Sequence, residues 1–587
     1  MKKFKNVLLS AAMLIAMVTA AAVTPAYGSN PAKLSPDLRN VPANQKVQVI
    51  VQYAPGTQVQ CTGLLGLVDC LVNDVTKLGG TVLGDLPLVN GLVASLDGTG
   101  VLNLSNQSNV VYISVDRPLT PSLSNAAPAV NAFAAWQSGY TGAGIGVALI
   151  DSGVASHPDL NGGFLGLSRV VWNQSFVPGD ASANDQYGHG THIAGLIAGD
   201  GASSTGSNYS RTFEGIAPGA NIVNLRVLDQ NGSGTDSAVI NAISTAILLK
   251  PLFNIRVINL SLGRPIYESY TLDPVCQAVE QAWKSGIVVV VAAGNNGRYQ
   301  GTNGYGTVTS PGNDPYVITV GAMKTMGTPT RVDDQMASYS SKGPTAIDAL
   351  AKPDLVAPGN LLVSLEAPNS TLYNEYPGNR VPNSFYVNGG NSASSSTYFT
   401  LSGTSMATGV VSGVVADLLQ KSPGLTPDQV KARLMKTAWK SLPAFSSTTD
   451  PTSGITYTDQ DDVFTVGAGY VDVEAAINST DIAKGTAMSP AAVFNGASDT
   501  VTLSPFSTSV WNTSSTWSYT NVWGSSQFVT GTSASALAGG ATSSTALWGS
   551  NAMWGSNAMW GSNAMWGSNA MWGSNAMWGS SAVGGEQ

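Results

Sequence analysis

The chain has 587 residues, of which 43% are hydrophobic and 11% charged, with a formal net charge of −8. The charged fraction is far below the about 25% of an average domain, and no block of basic residues appears, so nucleic acid is excluded as an expected partner. The length exceeds one ordinary domain, and the apolar content suffices for a sizeable core.

The N-terminus places Lys2, Lys3 and Lys5 before the apolar run Val7–Val23 and the small residues Ala26–Gly28. Charged region, short apolar core and small-residue site are the three parts of a cleaved export signal, assigned here to residues 1–28. Pro25 and a polar segment follow the run, which argues against an anchor; no later apolar run lacks charges and turn residues, so the mature chain is not expected to span a membrane. Of three cysteines, Cys61 and Cys70 could pair in an exported protein. Cys276 sits in a helical pattern and reads as a small buried residue.

Strand-like Lys46–Tyr53, a helical stretch around Val72–Leu78, strand-like Asn90–Asp97, a second short helix and strand-like Val110–Asp116 predict a small α+β domain. The segment 116–129 is rich in Pro, Ser and Ala and reads as an exposed linker. From about Asn131 the pattern changes. Gly144–Asp151, Asn221–Leu228, Val257–Leu262 and Ile287–Gly294 are continuous apolar runs separated by helical patterns. That alternation predicts an α/β fold, a mostly parallel, doubly wound sheet covered on both faces. The segment Thr426–Trp439 reads as a capped amphipathic helix.

After about Ser479 the only charged residues are Asp481, Lys484, Asp499 and Glu586, and nine of the 13 Trp fall here. A hexapeptide, WGSNAM, repeats with Trp548, Trp554, Trp560, Trp566, Trp572 and Trp578 in register. An even period would put every Trp on one face of an extended chain and every Met on the other. Such a segment reads either as a β-type repeat that binds a surface, a glycan or itself, or as a low-complexity tail.

Functional side chains in open parallel sheets sit at the carboxyl ends of strands. The run GVALIDSG ends in Asp151 and IVVVVAAGNNG ends in Asn295. GHGTHIAG holds His189 and His192, two of only three histidines. A His pair three apart can bind metal, but no Glu lies between and no third ligand stands out. The third, His157 in HPDL, reads as structural. Ser405, in GTSMA, opens an apolar helix. Acyl transfer needs these types together: a hydroxyl nucleophile, an imidazole to take its proton, a carboxylate to orient the imidazole, and donors fixed where an oxyanion forms. Asn295 and the Ser405 N–H at a helix N-terminus are suited to the last role.

DSGV, HGTHIAG, SLG, AAGNNG, KPDLVAPG and GTSMA, in this order over roughly Ala129–Ile477, resemble the subtilisin-like serine proteases (subtilase family, peptidase S8). The resemblance implies Asp151, His189 and Ser405 as a catalytic triad, with Asn295 as oxyanion donor and His192 as a structural neighbour. It implies Ser261, Leu262 and Gly263 as the edge that pairs with an extended polypeptide substrate, Ala293 and Gly294 as walls of the first specificity pocket, and Thr309 near its base. No cofactor is expected for the chemistry. Asp159 in HPDL resembles a calcium-binding aspartate of the family, although the loop 199–215 does not clearly supply the other ligands.

Residues 29–120 resemble a propeptide, a ferredoxin-like inhibitor domain that chaperones folding, blocks the site as an intramolecular partner, and is cut off by the enzyme itself. The expected organisation is signal 1–28, propeptide 29–120, catalytic domain 121–478 and a Ser/Thr/Ala/Gly-rich extension 479–587. The expected function is that of a secreted serine endopeptidase made as a zymogen, held at the cell surface if the repeats bind there. The alternative is a surface-associated structural or adhesive protein carrying a degenerate protease domain. A lipase or esterase of the α/β-hydrolase kind would need GxSxG and a histidine after the serine, and none follows Ser405. The chain also departs from the family pattern at Gly409, where a proline is usual.

Overall fold

The computed structural model describes residues 30–523 and 586, apart from short stretches at 36–37, 40, 56, 58–60, 63–68, 71–73, 117, 122–129, 131, 163–165, 329–330, 451–453, 496–499 and 513–514. The export signal, most of the linker 116–129 and the WGSNAM repeats lie outside the described residues. The chain divides into two compact units, Met1–Asp85 with Leu92–Val115, and Leu86–Gly91 with Asp116–Gln587.

The first unit is built on strands β1 (Lys46–Tyr53), β2 (Thr81–Leu86), β3 (Gly91–Asp97) and β4 (Val110–Val115), in the order β2-β3-β1-β4. Helix α1 (Gly98–Leu104) is capped by Asp97, whose carboxylate accepts from the Gly100 N–H. Val49, Val51, Leu92, Ala94, Val101, Leu104 and Ile113 form its core. The backbones of Cys61 and Cys70 stand opposite one another in a separate two-stranded ladder.

The second unit is centred on an eight-stranded sheet. Its strands are β5 (Gly146–Asp151), β6 (Val170–Ser175), β7 (Asn221–Arg226), β8 (Ile255–Leu260), β9 (Val288–Ala292), β10 (Ile318–Lys324), β11 (Gln335–Met336) and β12 (Leu355–Pro358). The order is β11-β10-β9-β8-β5-β7-β6, with β12 beside β10; all pairings are parallel except β10 with β11. β5 and β9 are buried at every position, as continuous apolar runs require when helices cover both faces. The chain passes to one side of β5 for β6 and β7 and to the other for β8 onward. The strand order therefore reverses at β5, which opens a crevice at its carboxyl end.

Five helices position the site: α2 (His189–Ala198), α3 (Asp236–Phe253), α4 (Pro274–Lys284), α5 (Thr404–Lys421) and α6 (Pro427–Thr437). Asp273 caps α4 and Pro274 opens it; a full capping box of Thr426 and Gln429 starts α6, as its sequence predicts. α3 has the length and apolarity to cross a membrane, and its face from Ala238 to Ala246 is buried against the sheet. Several described residues between Ala483 and Trp523, in the Ser/Thr-rich extension by composition, are packed into this unit. Ala487, Leu503, Trp511, Trp517 and Trp523 share one core with Met435 of α6 and Phe464. Trp511 and Trp523 meet edge to face at 5.1 Å, and the Trp511 indole donates to the Met488 carbonyl at 2.8 Å.

Candidate active site

Asp151 ends β5 and His189 opens α2, both wholly buried. The His189 Nδ1 lies 2.8 Å from Asp151 Oδ1, which also accepts from the Ser152 N–H at 2.7 Å. Gly190 makes this approach feasible. A Cβ there would lie 2.2 Å from the Gly153 carbonyl and 3.2 Å from Asp151 Oδ1, so a larger residue would push α2 away from the carboxylate. A residue that sequence reasoning missed sets the pair's geometry. Asp185 is buried, and one of its oxygens accepts from the Ser152 hydroxyl and the Tyr187 and Gly188 N–H groups. The other accepts from the Thr191 N–H and hydroxyl. Asp185 thus caps the first turn of α2 and ties it to the residue after Asp151. Its only sequence signal was an acid four residues before His189.

Ser405 lies in the first turn of α5, whose residues Thr404–Leu419 are all buried. Its hydroxyl donates to the Ser261 carbonyl at 3.1 Å, and the Ser261 hydroxyl donates to the Ser405 carbonyl at 2.9 Å. Asn259 Nδ2 donates to the Ser261 hydroxyl, and Ser412 of α5 donates to Asn259 Oδ1, both at 2.9 Å. This chain of bonds joins the end of β8 to two turns of α5. α5 packs along α2 at Gly409: a Cβ there would meet Ile193 Cγ2 at 3.4 Å and Leu196 Cβ at 3.5 Å, ordinary van der Waals contact. The glycine in place of the family's proline therefore faces the histidine's helix.

Asn295 follows β9. Its Oδ1 accepts from the Thr404 N–H at 3.0 Å and the Thr404 hydroxyl at 3.1 Å. With its oxygen so engaged, its amide Nδ2 is buried and has no partner among the described residues. Thr404 was not singled out from sequence, yet it orients this amide and also accepts from the Gly294 N–H at 3.1 Å.

The expected substrate edge and pocket walls come together. The Ala293 carbonyl accepts from the Thr309 N–H at 3.0 Å. A Cβ on Gly263 would come within 2.6 Å of Thr309 Oγ1, and one on Gly294 within 2.9 Å of Thr309 Cγ2, so the Thr309 side chain lies close to both the edge residue Gly263 and the wall residue Gly294. Leu262–Gly263 pairs antiparallel with the strand Pro118–Pro121, in the register Leu262 opposite Pro121 and Gly263 opposite Thr120. Gly234–Thr235 pairs with the other side of that strand. The edge is fixed from behind by Arg264, also missed from sequence. Its buried guanidinium binds Asp236 at the start of α3 and Asp273 at the cap of α4, at 2.9 Å each.

His192 points away from this centre. Its Nε2 lies 3.2 Å from the Leu362 and Phe399 carbonyls, and burial, with His189 nearby, pushes its pKa down to about 3. It is a neutral structural imidazole. His157 accepts from the Asp159 N–H and faces the Thr397 carbonyl. Asp159, expected as a candidate calcium ligand, does not fit that role. One oxygen accepts from the Ser203 N–H at 2.8 Å and the other from the Tyr398 hydroxyl at 2.6 Å. The positive charge beside it is Arg169, whose guanidinium donates to the Asp159 carbonyl at 2.6 Å and to the Ala198 and Pro218 carbonyls. Among the described residues no group of three or more His, Cys, Asp or Glu could hold a metal ion.

The chain's relatives define its class, a serine-type endopeptidase. Residues 142–469 match the model of the subtilase family. The chain is 39% identical over 338 residues to the serine protease AprX of Bacillus subtilis, covering 56% of this chain and 70% of that one. It is 36% identical over 369 residues to subtilisin E of the same organism, covering 62% and 79%. Among solved structures it resembles fervidolysin from Fervidobacterium pennivorans, a keratinolytic enzyme related to subtilisin, with a TM-score of 0.51 at 23% identity. That match covers 75% of this chain and 62% of the other and bears on the fold alone. The chain belongs to the subtilase family, with its mostly parallel α/β fold, and such enzymes need no cofactor for catalysis.

Proposed function

We propose that this protein is an exported endopeptidase, made as a self-processed zymogen, in which Asp151, His189 and Ser405 form the triad and Asn295 donates to the oxyanion. The observation that carries the reading is the buried Asp151–His189 pair at 2.8 Å, in a crevice that also receives the start of α5. Asp151 accepts from Nδ1–H, which leaves the Nε2 lone pair of His189 to take a proton. The Ser405 hydroxyl, which donates here to the Ser261 carbonyl, transfers its proton to His189 as its oxygen attacks the scissile carbonyl. The negative charge then develops between the orphaned Asn295 amide and the Ser405 N–H, at the positive end of α5. Protonated His189 gives its proton to the leaving amine, and water repeats the sequence on the acyl-enzyme.

Self-processing is supported by the backbone of Pro118–Pro121, which lies along Leu262–Gly263 as an extended substrate would. Substrate and first pocket are read accordingly: Ser261–Gly263 pairs with the peptide, and Ala293, Gly294 and Thr309 enclose the side chain before the scissile bond. The first unit is then the propeptide and intramolecular inhibitor. Asp151, His189, Asn295 and Ser405 are all present in the chain, which disfavours an adhesive protein with an idle site. Calcium at Asp159 is no part of the proposal.

The test is casein cleavage by the purified protein, with and without a serine-directed phosphonate, beside Ser405→Ala. Activity abolished by both is the expected result, with Ser405→Ala accumulating as an uncleaved precursor. An inactive but correctly trimmed wild-type protein would sink the reading.

A further inference from the structure

Glu586 is the only charged residue after Asp499, and it is 1% exposed. One carboxylate oxygen accepts from Arg298 Nη2 at 2.6 Å and from the Ser338 hydroxyl. The other accepts from the Ser338 N–H at 3.1 Å and lies 3.6 Å from Lys324 Nζ. Its backbone is held as well: the Glu586 N–H donates to Asn360 Oδ1 at 3.0 Å, and Asn360 Nδ2 donates to the Glu586 carbonyl at 2.7 Å. Asn360 thereby reads the peptide as a neighbouring strand would, while the two cations and Ser338 read the acid. Lys324, Ser338 and Asn360 are all nearly inaccessible, so this is a built pocket rather than a surface ion pair.

The pocket walls lead to the active site. Arg298 lies three residues after Asn295, and the Gly297 N–H and Asn296 N–H bond the Tyr339 carbonyl and the Ser341 hydroxyl beside Ser338. Asn360 follows Gly359, whose carbonyl accepts from the Gly403 N–H at 2.7 Å, immediately before α5. One glutamate therefore bridges the loop that carries the oxyanion amide and the loop that holds the start of the nucleophile's helix.

We propose that Arg298, Lys324, Ser338 and Asn360 form a receptor site for a glutamate-bearing peptide segment, that its occupant is the chain's own Glu586, and that occupancy steadies Asn295 against α5. The repeat-bearing residues 524–585 are then joined to the catalytic unit at both ends, through Trp523 and through Glu586. Removing the acid takes away the carboxylate that bridges buried Lys324 and Arg298 and leaves Arg298 only Asp450, at 3.5 Å, which is more costly than loss of a surface pair.

The test uses full-length Glu586→Ala in a Ser405→Ala background, with acetyl-Val-Gly-Gly-Glu-Gln and its Gln-for-Glu analogue added at millimolar concentration. The substitution is expected to lower the melting temperature by several degrees, and only the glutamyl peptide should restore it. An unchanged melting temperature, or equal effects of the two peptides, overturns the proposal. If Glu586→Ala does not fold, Glu586→Gln keeps the shape and loses the charge, and a smaller shift in the same direction is expected. In the active background kcat should fall with KM little changed, and peptide should recover it. This kinetic arm rests on the proposed role of Asn295; the melting and peptide arms do not, so the two readings fail separately. A wild-type dimer that Glu586→Ala converts to monomer in sedimentation would assign the occupant to a second copy and overturn own-chain occupancy.

Discussion

Gly409→Ala should stabilise the protein. The position is the sixth of α5, well inside the helix, where glycine costs about 0.8–1 kcal/mol relative to alanine. The added methyl would sit 3.4–3.7 Å from Ile193 and Leu196, at ordinary contact distance, and its burial contributes on the order of 0.8 kcal/mol. The expected gain is therefore about 1–2 kcal/mol. It is read from urea unfolding midpoints in a Ser405→Ala background, which prevents self-digestion, with the slope m unchanged. Catalysis measured in the active background should be unaltered, because nothing moves at His189 or Ser405. A destabilised protein, or a marked fall in kcat, would refute the contact geometry: it would mean that α2 and α5 lie closer than a methyl allows and that Gly409 sets the position of the imidazole. Gly409→Pro should also be better tolerated than the roughly 3 kcal/mol of an ordinary helix-interior proline. The carbonyl that would lose its helical donor is Ser405, and the Ser261 hydroxyl already donates to it.

Three other outcomes follow. Asn295→Ala should lower kcat about 10²–10³-fold with little change in KM, a range established on a subtilisin donor of this kind; an equal rise in KM would show that the amide binds ground state and transition state alike. Glu366 is buried with neither carboxylate oxygen partnered among the described residues, and burial, opposed by Arg380, pushes its pKa up to about 8. A raised folded pKa means stability that is present below the unfolded value of about 4.3 and lost as pH climbs to 8, so the melting-temperature advantage of Glu366→Gln should grow through that window and level off above it. A pH-independent difference would contradict this. Chelation by EDTA should leave the melting temperature unchanged if Tyr398, Ser203 and Arg169 fully satisfy Asp159 and its neighbours; a fall reversed by calcium would reinstate a metal there.

Much of the centre was readable because it obeys local rules. β5, β7, β8 and β9 are unbroken apolar runs, and an unbroken run between helical patterns has few solutions other than an interior parallel strand. Their last residues then fall at the sheet's carboxyl edge, which is why Asp151 and Asn295 could be read beside His189 and Ser405. The capped start of α6 was legible for the same reason, since the signal for a cap is local; the structure adds that Gln429 completes a capping box with Thr426.

What was not legible depends on contacts distant in sequence. Asp185 resembles any loop aspartate until Ser152 and Thr191 are brought to it, and Arg264 any basic residue until Asp236 and Asp273 enclose it. Composition misled most at the extension. Ser, Thr, Gly and Ala give a segment little apolar surface per residue, yet Trp511, Trp517 and Trp523 share a buried core with Met435 of α6. Glu586 is the limiting case. One acid in a long uncharged stretch has no periodicity or motif, and its meaning lies entirely in the cations it meets.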